Sequence, residues 1–304
     1  PLQGGAYRWY KESWGGFWGF QFGWLEWLSW MFEAALYPTL VAIYCVHFFW
    51  PEAGTFTTWC ITLAVIWMSI VLNIRGIQTV GKWSAILAWF QVIPVLWFII
   101  IGVNHINLSF LGSLNIPANS TTLDALTMAL IFGLWNFSGY AGLAAAAEEI
   151  EDTPTTYPKA LLITLIVSMV MYVVPLIIGI SVDQNWSNWD EAQFNSVALV
   201  LGGGAFAWWF MLAAQSSNFG LINSELIVLS RLIQAMAKDG FLPHILDKLH
   251  RKYETPVHSL VMQGILLSIM TFGMGFVDLL VVGTWLSIPT YLIGFAVFIS
   301  LRIQ

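Results

Sequence analysis

Apolar residues run along this chain in eight long blocks separated by short polar gaps. A helix needs about 20 mostly apolar residues, at about 1.5 Å rise each, to cross a hydrocarbon core of about 30 Å. The blocks predict spans at 17–48, 56–74, 82–103, 123–147, 159–181, 198–230, 257–275 and 278–301. The first is long enough to tilt or to extend beyond the core. The fold class is therefore all-α, a polytopic membrane protein with eight predicted transmembrane helices. The longest connection, 231–256, reads as a helix continuing to Asp239, a stop at Gly240 and a short basic segment.

Charge orients this arrangement. All 11 Lys and Arg residues fall on one side of the eight-span path: Arg8, Lys11, Arg75, Lys82, Lys159, Arg231, Lys238, Lys248, Arg251, Lys252 and Arg302. The alternate loops, 49–57, 104–122, 182–197 and 274–279, carry none. Cationic loops are retained in the cytoplasm during insertion, so both ends of the chain are expected inside, in a multi-pass protein of the plasma membrane. Composition agrees, with 58% hydrophobic and 9% charged residues against the half-apolar, quarter-charged mix of soluble domains. Trp14, Trp18, Trp50, Trp59, Trp186 and Trp189 fall where spans meet headgroups. The net charge of −6 gives no reason to expect a nucleic-acid partner.

Three spans carry polar residues that a lipid-facing helix would not. In the first, Glu26, Ser29, Glu33 and Tyr37 recur at spacings of three and four and so share one face. Glu33 falls near mid-depth, where a carboxylate costs at least about 2.5–3.5 kcal/mol, so it must face protein or water. It is either a functional acid or a protonated, hydrogen-bonded structural one. In the fourth, Asn136-Phe-Ser-Gly-Tyr-Ala-Gly142 reads as a helix break that frees backbone groups for a ligand, or as a small-residue face for helix packing. The sixth holds Gln215-Ser-Ser-Asn218, with Glu225 lower down. Each span alone is ambiguous, but three polar-centred spans in one bundle favour a cavity.

Several motifs, in order along essentially the whole chain, resemble the amino acid–polyamine–organocation (APC) superfamily of secondary transporters. Gly4-Gly-Ala-Tyr-Arg-Trp9 with Gly19-Phe-Gln-Phe-Gly-Trp24 is similar to the family's stretch between its second and third helices. Leu72-Asn-Ile-Arg-Gly76 resembles the opening of its fifth helix. Glu148-Glu-Ile-Glu-Asp152 with Tyr157-Pro-Lys-Ala160 resembles the signature after its sixth. Ser230-Arg-Leu-Ile-Gln-Ala-Met-Ala-Lys-Asp-Gly240, Leu242-Pro243 and Thr255-Pro256 resemble the signature after its eighth. Trp27-Leu-Ser-Trp-Met-Phe-Glu-Ala-Ala-Leu-Tyr-Pro38 and Leu134-Trp-Asn136 look most like the polyamine-uptake and L-type amino acid branch, whose members carry Asp where this chain has Glu33.

The resemblance implies a core of two inverted five-helix repeats, with 1–122 supplying the last three helices of the first repeat and 123–304 the five of the second. It implies a single transporter domain over 1–304 and a fragment without the family's first two helices. Two departures bear on chemistry. Ala141 stands where polyamine-type members have an acid, and no Lys stands near Gln91, where some proton-coupled relatives have one.

The resulting expectation is a secondary active transporter that moves a small amine-bearing solute, most readily amino acids, by alternating access. Polyamine uptake is the alternative within the class, and a non-transporting solute receptor the alternative outside it. The expected substrate site comprises Glu33 as amine partner or proton carrier, backbone contacts at Ser138, Gly139 and Gly142, Phe137 and Tyr140 as lining or gating rings, and Ser216, Ser217 and Asn218. No cofactor or metal is expected; a coupling ion would be H+ or Na+. A membrane-embedded enzyme is disfavoured, because none of the five His falls at mid-depth and the spans hold no His-Glu-x-x-His pair or Asp dyad.

Overall fold

The computed structural model of this chain describes residues 6–76, 80–113, 121–138 and 153–303. Among these, every regular element is helical: α1 (Ala6–Phe49), α2 (Thr55–Ile74), α3 (Val80–Gly102), α4 (Thr122–Asn136), α5 (Thr153–Val182), α6 (Gln193–Lys238), α7 (Val257–Met270) and α8 (Phe276–Ile303), with short 3-10 turns in the loops. Six are long and apolar enough to cross a membrane, and α4 and α7 are shorter apolar helices of 15 and 14 residues. At about 1.5 Å per residue, neither short helix reaches across about 30 Å by itself. α7 stops five residues before the predicted end because Thr271, Phe272 and Gly273 form a turn, with Gly273 at φ +76°. α4 ends at Asn136, where the polar, small-residue stretch begins. Phe137 and Ser138 close it through bonds to Gly133 and Trp135 carbonyls.

α1 begins eleven residues before the predicted span, and the reason is a helical hairpin. Gly15, at φ +84°, adopts a conformation that costs other residues about 1–2 kcal/mol, and it turns Ala6–Trp14 back along the following helix. A Cβ at Gly19 would lie 2.8 Å from the Lys11 backbone, and one at Gly23 would lie 2.8 Å from the Tyr7 ring. Glycines four apart thus form the groove that seats the arm. Phe22 closes it with edge contacts to Tyr10 and Trp14 and a stack on Trp18.

The helices gather into two compact units. The first comprises 1–80 and 218–304, and so holds α1, α2, the second part of α6, α7 and α8. Here α1 packs most extensively on α8, and Ser29 Oγ lies 2.6 Å from Ser287 Oγ between them. The α6 end is pinned to the α1 arm. Asp239 Oδ2 accepts from the Tyr7 hydroxyl at 2.6 Å and lies 2.8 Å from the Lys11 ammonium. Gly240 then stops the helix as predicted, with Phe241 N–H bonded to the Met236 carbonyl and Gly240 N–H to that of Ala237, the Schellman pattern.

The second unit, 81–217, contains α3, α4, α5 and the first part of α6. Its core is Phe98, Ile178, Val197, Ala198 and Phe206. α5 leaves Leu162, Ile163, Leu165, Ile166 and Val167 each more than half exposed. Contiguous apolar surface of this extent suits hydrocarbon rather than water.

Candidate functional site

The polar face expected on the first span is real and faces inward. Ser29 is 1% exposed and Glu33 is half-buried, with the Tyr37 hydroxyl donating to Glu33 Oε1 at 3.3 Å. The α8 backbone comes close beside it. A Cβ added at Gly283 would lie 3.1 Å from the Phe32 side chain and 3.7 Å from the Glu33 nitrogen. From α6 comes a second carboxylate. Glu225 is half-buried, its Oε2 is shielded from solvent and lacks a hydrogen-bond partner among the described residues, and it feels the charge of Glu33. Two acids with one partly uncompensated oxygen make this a place where a proton or a cationic amine would be stabilised.

The same unit also holds amides in its interior. Asn73 donates to Asn223 Oδ1 at 2.8 Å, joining α2 to α6, and also to the Ser69 carbonyl at 2.9 Å. Gln263 on α7 is fully buried, and among the described residues both of its amide atoms lack a partner. A buried amide without a partner costs about 1–3 kcal/mol, so this unit keeps unspent hydrogen-bonding capacity at Gln263.

Within the second unit, Ser216 Oγ donates to the Ala213 carbonyl at 2.8 Å and accepts from Gln91 Nε2 of α3 at 3.5 Å. Gln91 therefore occupies, with a neutral amide, the position whose missing Lys stood out in the sequence. Ser217 is half-buried on the same unit, and Asn218, also half-buried, belongs to the first. Gln215 has both amide atoms buried and without a partner among the described residues. At the α4 end the Phe137 ring meets Tyr172 edge-on, with centroids 5.7 Å apart, and Ser138 Oγ donates to the Trp135 carbonyl at 2.8 Å. Gly139, Tyr140, Ala141 and Gly142 lie outside the described residues.

The site residues thus fall into two groups: Glu33 and Asn218 in the first unit, and Phe137, Ser138, Ser216 and Ser217 in the second. The sequence had placed Glu225 among polar residues but not in the site. Its charge interaction with Glu33 links two distant spans, and no periodicity within either helix announces it. Among the described residues no three His, Cys, Asp or Glu side chains gather as a metal set.

A bundle of long apolar helices with carboxylates and amides turned inward defines an integral, multi-pass membrane protein with a polar interior. The chain belongs to the amino acid permease family, whose model matches residues 1–303. It is 30% identical to a probable polyamine transporter of Arabidopsis thaliana over 90% of this chain and 54% of that protein. It is likewise 30% identical to the polyamine transporter PUT1 of Oryza sativa subsp. japonica, over 90% of this chain and 51% of the other. The large neutral amino acids transporter small subunit 2 of Rattus norvegicus is 28% identical over 86% of this chain and 51% of its own length. The chain spans about half the length of these relatives.

Proposed function

We propose that this protein is a secondary active transporter that carries a small amine-bearing solute across the membrane by alternating access. Glu225 carries the reading: its buried Oε2 has no hydrogen-bond partner among the described residues and it feels the charge of Glu33, so an amine or a proton would compensate it. Ser216, Ser217 and Asn218 contribute hydroxyl and amide contacts. The end of α4 at Phe137 and Ser138, continued by Gly139, Tyr140 and Gly142, supplies backbone groups and lining rings. The chain reads as one transporter domain, with 1–122 and 123–304 belonging to successive inverted repeats. Both ends and the basic loops lie on the cytoplasmic side of a plasma membrane. A catalytic role is not proposed, since family membership and the named relatives all speak for transport.

Amino acids are the solutes that a lone Glu33 would favour. One observation favours polyamines instead: Glu225 provides the second acid that Ala141 had seemed to remove, and two carboxylates suit a solute with two ammonium groups. Substitution separates the two readings. Glu33→Gln keeps the shape and most hydrogen bonds while deleting the charge, and should weaken uptake of the amine-bearing solute about tenfold or more. Glu225→Gln should weaken putrescine uptake by a similar factor if the solute is a diamine, and leave leucine uptake nearly unchanged if it is an amino acid. If the pair carries the coupling proton, both variants should lose the pH dependence of uptake while equilibrium exchange survives. Wild-type affinity and pH dependence in Glu33→Gln would reduce that residue to a structural acid.

A further inference from the structure

The first unit also presents an open groove of about 390 Å³ between α7 and the 3-10 turn His244–Asp247. Ligand pockets generally measure about 300–1,000 Å³. Ile245 and Leu246 form one wall, and Val257, Val261 and Ile265, spaced by four on α7, form the other. Of the lining side chains only His258, in the first turn of α7, is polar. The lining runs from Val257 to Leu266, about 14 Å of helix. Two bonds hold the turn in place. Ser259 Oγ donates to the Leu246 carbonyl at 2.9 Å, and Gln234 Nε2 to the Asp247 carbonyl at 3.3 Å.

The segment that joins the two walls carries the opposite chemistry. Lys248, Arg251 and Lys252 are all exposed, on a loop closed by His250 N–H to the Thr255 carbonyl at 2.8 Å and Glu254 N–H to the His250 carbonyl at 2.9 Å. His250 Nδ1 accepts from the Lys252 and Tyr253 N–H groups, and the Lys252 ammonium sits 5.2 Å from the Tyr253 ring centre. The acids nearby are Asp247, whose Oδ1 is turned into the protein, and Glu254, which is exposed. An apolar trough on a membrane protein, its two walls joined by a loop with three exposed cations, matches one kind of molecule in both parts.

We propose that the groove between α7 and the His244–Asp247 turn binds one anionic phospholipid, with an acyl chain along Val257, Val261 and Ile265 and the headgroup phosphate against Lys248, Arg251 and Lys252. The cytoplasmic leaflet is where anionic lipids concentrate, and each Lys or Arg near such a surface strengthens attachment roughly fivefold. The inference rests on the membrane-embedded fold and the loop charges, and is independent of which solute is carried. Its test is native mass spectrometry of the purified, delipidated protein offered equal amounts of phosphatidylglycerol and phosphatidylcholine. One phosphatidylglycerol adduct should be retained, about tenfold or more in preference to phosphatidylcholine. The triple variant K248Q/R251Q/K252Q alters only exposed side chains; it should keep the wild-type melting temperature in phosphatidylcholine and lose the preference. Val261→Trp, which fills the trough, should lose adducts of both lipids. Equal retention of the two lipids by the wild type, or an undiminished preference in the triple variant, would overturn the proposal whatever the behaviour of Val261→Trp.

Discussion

One oxygen, Asp239 Oδ2, receives both the Tyr7 hydroxyl and the Lys11 ammonium, and it fastens the end of α6 to the α1 arm. Burial works against its charged form. The Lys11 and Tyr7 hydrogen bonds outweigh that, with Lys11 and Arg8 adding charge attraction, and hold the carboxyl below its ordinary range. A depressed carboxylate contributes stability above its unfolded pKa of about 3.9, and that contribution disappears as pH falls through the lower folded value. Both partners are about a third exposed, so solvent screening limits the loss in Asp239→Asn to about 1 kcal/mol near neutral pH. Thermal melts of the two proteins in one detergent should differ at pH 7 and converge as the pH drops below about 3.9. A gap that persists at low pH would assign the effect to shape rather than charge. Tyr7 and Lys11 could not be recognised as Asp239 partners from sequence, because the contact depends on the hairpin at Gly15.

For the helices themselves, legibility follows what each one packs against. α2 and α3 keep to their apolar blocks, and their edges fall within two residues of them. The hydropathy pattern starts α1 at 17, because Tyr7–Trp14 mixes Arg8, Lys11 and Glu12 with aromatics. Those residues are helical because they lie in the glycine groove of their own chain, a tertiary cause that no hydropathy window detects. α6 runs past the apolar block that ends at 230 and continues to Lys238, as the helical reading up to Asp239 expects, its amphipathic end stabilised by buried Ile233, Met236 and Ala237. The reverse holds for α7, whose apolar pattern runs past Met270 while the Gly273 turn ends the helix. In the candidate site the polar residues were visible as violations of the apolar pattern. The pairs Glu33–Glu225, Asn73–Asn223 and Gln91–Ser216 were not, since each joins different helices.

On the scale of the whole molecule, the two compact units do not follow the chain's halves: 1–80 gathers with 218–304, while 81–217 stands as the other unit. Contacts of α1 with α8 and α7 hold the first unit together across that distance in sequence. The proposed orientation has its own test. Single cysteines at Ser120 or Asn188, in a background lacking Cys45 and Cys60, should react with an impermeant maleimide from outside intact cells. Cysteines at Thr155 or Lys248 should react only after permeabilisation. The reverse pattern would contradict the one-sided placement of all 11 cationic residues.

Carriage, as opposed to binding, is the central claim, and counterflow measures it. Liposomes reconstituted with the whole protein are loaded with unlabelled putrescine or leucine and diluted into trace labelled solute. A carrier exchanges one for the other, so the label should accumulate transiently above its equilibrium level for at least one of the two solutes. That accumulation should fall about tenfold or more in Glu33→Gln. Saturable binding of putrescine or leucine with no accumulation would identify a receptor and contradict the account.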